Sequence, residues 1–88
     1  MKKENFRPQD LQLALKLHDS IEDLQMEIRI HVSLGNYAAA AICTDEMAAS
    51  IKGTCELKRA KREHDKMVGI SKMMNERGIK VEVVMANA

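Results

Sequence analysis

Apolar residues recur along this chain in two long helical runs, separated by the dipeptide Gly35-Asn36. In the first run Leu17, Ile21, Leu24 and Ile28 follow one another at spacings of four, three and four. That spacing keeps one stripe of a helix against a neighbour, as in a coiled coil. Leu11, Leu15, Met26, Ile30 and Leu34 widen the stripe onto a second side. A helix apolar on more than one side needs more than one neighbour. Lys16, Asp19, Glu22, Asp23 and Arg29 form the solvated face. Pro8 suits a first helical turn, where its missing N–H is no loss, and Asp10 complements the positive end of the helix dipole. The pattern predicts a helix over about 8–34.

The second run opens with Tyr37 and four alanines, Ala38 to Ala41, which join high helix propensity to minimal bulk. Small side chains let two helix backbones approach closely, so this stretch is expected to pack on the first helix just past the turn. Met47, Ala48, Ile51 and Cys55 keep the period, and Leu57, Ala60, Met67, Val68, Ile70, Met73 and Met74 extend it to about residue 77. Gly53-Thr54 interrupts it, and the helix is expected to be kinked or broken there, with Thr54 able to cap a fresh segment. Gly78 reads as a C-cap, and Ile79, Lys80, Val81, Glu82 and Val83 alternate as a strand does. Two long helices joined by a Gly-Asn turn predict an all-α antiparallel hairpin.

The turn fixes which residues face each other. With its centre at 35–36, facing residue numbers add to about 71, placing Pro8 level with Glu63. Residues 64–75 then overshoot the first helix and carry Met67, Val68, Ile70, Met73 and Met74 into water. Each such side chain left exposed forgoes about 1.5–3 kcal/mol. Either a break at Gly53-Thr54 folds a third helix back, or a second copy covers the overhang in a symmetric homodimer. A single hairpin is a marginal structure, so the dimer is the expectation, and the strand-like tail points the same way.

Composition narrows the picture without adding chemistry. Eighty-eight residues make one domain, with residues 1–7 expected as a flexible N-terminus and 79–88 as the tail. Lys and Arg number 14 against 13 Asp and Glu, so no whole-molecule field selects a partner. The densest charge is Lys58, Arg59, Lys61 and Arg62, a stretch that could hold phosphates by releasing counterions. Glu56, Glu63 and Asp65 lie among these cations, and no aromatic side chain is placed to stack bases. Residues 1–10 lack the apolar core of a signal peptide, and the longest apolar run, Tyr37 to Cys43, is far below the roughly 20 residues that span a bilayer. A soluble, cytoplasmic chain with no membrane partner is expected.

Cys43, Cys55, His18, His31 and His64 show no metal-ligand spacing, and Glu27 with His31 is a single pair where a carboxylate site needs several. The cysteines read as small residues of a reducing compartment. No Gly-rich phosphate loop or nucleophile elbow is present, so neither cofactor nor catalysis is expected. The six residues Gly35-Asn36-Tyr37-Ala38-Ala39-Ala40 resemble the inter-helix turn of a tetratricopeptide repeat. Thr44 and Met47 stand where that family prefers an aromatic and an Ala, and no second copy follows, so the resemblance implies only a tight turn. The expected function is that of a small non-enzymatic helical protein, a homodimer that occupies a partner protein as regulator, inhibitor or assembly adaptor. The alternative is a nucleic-acid-binding regulator using residues 58–62.

Overall fold

The computed structural model describes residues 1–76. Two short 3-10 turns, Lys3–Asn5 and Pro8–Asp10, lead into α1 (Leu11–Ser33), and α2 (Tyr37–Glu76) returns antiparallel to it. The expected all-α hairpin is what forms. Gly78 and the strand-like tail at 79–88 lie outside the described residues.

Gly35-Asn36 serves both helices at once. Gly35 has φ 72°, a left-handed conformation that a side chain would strain. Its N–H donates to the Val32 carbonyl at 3.0 Å, and the Asn36 N–H donates to the His31 carbonyl at 2.8 Å. This paired closure satisfies the last carbonyls of α1. Asn36 then starts α2: its carbonyl accepts from the Ala40 N–H at 3.1 Å, and its side-chain Oδ1 accepts from the Ala39 N–H at 3.4 Å. One residue thus ends a helix and caps the next.

Three independent contacts fix the register. The Ser20 and Ser50 hydroxyls lie 3.4 Å apart, and the Cys43 thiol donates to Glu27 Oε2 at 3.5 Å. A Cβ added at Gly53 would stand 3.3 Å from Leu17 Cδ1. In each pair the residue numbers add to 70, one short of the expected 71. Leu17, Ile21, Leu24 and Ile28 line this seam, and Ala40, Cys43, Met47, Ser50, Thr54 and Leu57 answer them, all buried or half-buried. Large side chains on α1 meet the small Ala40, Cys43, Ser50 and Thr54 on α2, with Met47 and Leu57 among them. Of the four alanines only Ala40 is buried, since a helix turns Ala38 and Ala41 outward.

The break at Gly53-Thr54 does not occur. α2 is one 40-residue helix, and the Thr54 hydroxyl donates to the Ser50 carbonyl at 2.9 Å instead of capping a new segment. That bond satisfies the hydroxyl inside a continuing helix. Gly53 does not interrupt the helix; it lets Leu17 pack close to the α2 backbone. No third helix folds back to cover the far end of α2 among the described residues.

The N-terminal residues form two short turns ahead of α1. Phe6 is 4% exposed, and the Lys3–Asn5 turn packs against α2. Arg7 Nε donates to Asp10 Oδ2 at 2.7 Å, holding the Pro8–Asp10 turn. Asp10 sits just before α1 but makes no side-chain cap, because its carboxylate is taken by Arg7. Pro8 therefore opens a 3-10 turn, and α1 begins three residues later than expected. This segment extends the cover over α2 beyond the end of α1.

The result is a rod. It measures 65 × 22 × 14 Å with a radius of gyration of 19.4 Å, where a compact chain of this length has about 12 Å. The interior is thin. Among the described residues the buried ones are Phe6, Ala14, Leu24, Ala40 and Cys43, so only two large side chains are buried and neither completely.

Candidate functional site

Three surface regions carry the residues that the sequence singles out, and each is positioned by the hairpin register. The first is the far end of α2, where the N-terminal cover runs out. Met67, Ile70 and Met74 are half-buried there, while Val68 is 54% and Met73 45% exposed. α2 thus runs on past the start of α1. The Lys3–Asn5 turn also packs against α2, a contact the sequence pattern alone did not assign.

The basic stretch lies midway along α2, and its four cations divide into two pairs. Arg59 Nε lies 3.6 Å from Glu63 Oε1, and Lys61 Nζ donates to Asp65 Oδ1 at 2.8 Å. Both pairs are four residues apart on one helix, the spacing at which side chains meet. Lys58 and Arg62 are exposed and make no ion pair among the described residues. With Lys66 they form a row at i, i+4 and i+8 along one side of α2. What the geometry offers is a row of three cations, not a compact cluster.

No family model, curated protein or solved structure matches this chain. Its surfaces are therefore read from their own chemistry.

The third region is the turn end. Met26, Arg29, Ile30, Ser33 and Leu34 line a shallow groove on the outer side of α1. Gln25, Ile28, Arg29 and Met47 line a second one between the helices. Part of the second apolar stripe that the sequence places on α1 is here, and α2 leaves it open: Met26, Ile30 and Leu34 are exposed.

Beneath this end lies the one buried thiol. Burial pushes Cys43 above its ordinary pKa, and the Glu27 carboxylate, as hydrogen-bond partner and as charge, and the Glu46 charge push it further. Anions beside a thiol disfavour the thiolate, so Cys43 is held in its unreactive form. Cys55 is exposed on the same helix. Glu27 and His31, four apart on α1, do not act together. Glu27 accepts from Cys43, whereas His31 Nδ1 is buried without a hydrogen-bond partner among the described residues. No group of three or more His, Cys, Asp or Glu side chains among the described residues is arranged to hold a metal ion.

Two of these features escaped the sequence pattern. Phe6 stands alone in a polar segment, and its only signal is being the sole Phe of the chain, two residues before the Pro. The Glu27–Cys43 contact joins residues sixteen apart and emerges only once the register is known.

Proposed function

We propose that this protein is a helical hairpin that pairs with a second copy and acts by occupying a partner protein, without chemistry of its own. One observation carries the reading. The hairpin buries two large apolar side chains, Phe6 and Leu24, and leaves twelve large hydrophobic residues exposed among those described. Single exposed hydrophobics are ordinary on any surface. Here Met26, Ile30, Val32, Leu34, Tyr37 and Ile42 gather toward the turn end and Val68 and Met73 toward the far end, with Leu13, Leu15 and Ile51 exposed between them, and collected patches mark contact surfaces. The far end, with Val68 and Met73 outward and Met67, Ile70 and Met74 beside them, is the surface assigned to self-pairing. No described helix is long and apolar enough to cross a membrane, so lipid does not provide the cover through a spanning helix.

Pairing ties stability to concentration. The thermal midpoint of the unaltered chain is expected to rise over an about hundredfold increase in protein concentration. Val68→Asp with Met73→Asp should abolish that rise while leaving α1 and the turn intact. A midpoint independent of concentration in the unaltered chain overturns the reading.

A second reading rests on the exposed row Lys58, Arg62 and Lys66, which suits a phosphate backbone. It predicts salt-sensitive retention on duplex DNA that is lost in the triple Glu variant. Absence of retention at low salt removes it.

A further inference from the structure

The turn end carries an apolar patch with a charge pattern of its own. Glu27 marks one flank of the hairpin, because its carboxylate reaches the Cys43 thiol across the seam. Ile30 follows Glu27 by three residues and Leu34 follows it by seven, so helical spacing sets both on that flank. On α2, Glu46 acts on the same thiol and Ile42 precedes it by one turn. Ile30 and Leu34 thus lean toward that flank from α1, Ile42 does so from α2, and Met26 lines the outer groove with the first two. They are 51%, 76%, 62% and 65% exposed. Small Ala38 and Ala49 lie beside Ile42 at helical spacing and leave the patch shallow.

The rim of this patch is acidic. Asp23 lies one turn before Met26, and Asp45 and Glu46 lie one turn after Ile42. All three are exposed and make no ion pair among the described residues. Between Asp23 and Ile51 the chain has four carboxylates, at 23, 27, 45 and 46, and one Lys or Arg, at 29. Arg29 borders the outer groove and also lines the opposite one with Gln25, Ile28 and Met47, on the far side from Glu46.

We infer that this flank is a docking site for a basic amphipathic helix of a partner protein. Such a helix would lay apolar residues at i, i+3/i+4 and i+7 over Ile30, Leu34 and Ile42 and aim Lys or Arg at Asp23, Asp45 and Glu46. Helix-in-groove recognition reads those anchors, and rim charges opposite in sign choose among helices of equal hydrophobicity. A partner of acidic character would meet like charge at Asp23, Asp45 and Glu46. The inference gives the partner in the reading above a surface and a chemistry, and it stands independently of whether copies pair at the far end.

The test uses a fluorescein-labelled synthetic helical peptide with Leu at these spacings and Lys on both flanks. Two controls accompany it: the same peptide with Glu in place of Lys, and a scrambled Lys peptide. Fluorescence anisotropy is expected to show saturable binding of the first peptide only. Asp23→Asn, Asp45→Asn and Glu46→Gln together should weaken it about tenfold at low salt. Ile30→Ser with Leu34→Ser should remove binding, with circular dichroism confirming the helices. Amide shifts in NMR should fall on residues 23–49. No binding, equal binding of the Glu or scrambled peptide, or shifts centred on residues 58–74 overturns the proposal. So does a mass that grows with concentration until Ile30→Ser stops it, since a second copy then fills the patch. Failure here with an intact concentration-dependent midpoint leaves pairing standing; success with a concentration-independent midpoint removes pairing alone.

Discussion

Cys43 and Cys55 lie twelve positions apart on one helix and differ by environment alone. Burial, then the Glu27 carboxylate, keeps the Cys43 proton on, while Cys55 faces solvent. Iodoacetamide at neutral pH is expected to modify Cys55 first and Cys43 only as the hairpin opens, with mass spectrometry of the digest locating the label. Glu27→Gln should quicken Cys43 but leave it the slower of the two, because burial is the larger cause. The sign of the pH effect follows. An unfolded thiol releases its proton near its ordinary value of about 8.5, whereas the folded Cys43 keeps it to higher pH. This group leaves stability unchanged below that value and lowers it as pH climbs through the interval to the folded pKa. The denaturation midpoint should therefore fall more steeply above pH 8.5 in the native chain than in Cys43→Ala. Apolar positions divide just as sharply. Leu24→Ala removes one of two large buried side chains and should lower stability by about 2–3 kcal/mol.

At the scale of the elements, two glycines of similar appearance in sequence have opposite roles. Gly35 holds a positive φ that any side chain would strain, so Gly35→Ala should destabilise the hairpin by about 1–2 kcal/mol. Gly53 has ordinary helical backbone and only a flexible Leu17 methyl in the way. Gly53→Ala should be neutral or stabilising by up to about 1 kcal/mol, because Ala is the better helix former and Leu17 can shift. Urea denaturation of the two variants measures both. The turn was legible because Gly35-Asn36 is local chemistry, and the start of α2 at Tyr37 followed from it. Of the kink or break expected at Gly53-Thr54, the break fails because local propensity was weighed without the partner helix. Leu17, thirty-six residues away, accounts for the glycine, and the Ser50 carbonyl accounts for the threonine hydroxyl. The N-terminal cover was missed for the same reason. Nothing near Phe6 in sequence announces that α2 runs alongside it. The site residues fared likewise: Lys58, Arg59, Lys61 and Arg62 were visible as charge, but their division into two paired and two unpaired cations depends on helix geometry.

The whole molecule is a rod that leaves apolar side chains exposed at both ends. A 40-residue helix spans about 60 Å, and α1 with its 23 residues reaches little more than half of that. The Lys3–Asn5 turn packs against α2, Val68 and Met73 stay exposed, and the turn end keeps Met26, Ile30, Leu34 and Ile42 in water. The turn end has acidic surroundings while the basic stretch lies midway along α2, so a basic occupant is assigned to the turn end alone. Sedimentation equilibrium of the unaltered chain tests the account at its centre. The account predicts a mass of twice 9.9 kDa at micromolar concentration and above, and a species of 9.9 kDa throughout that range would contradict it.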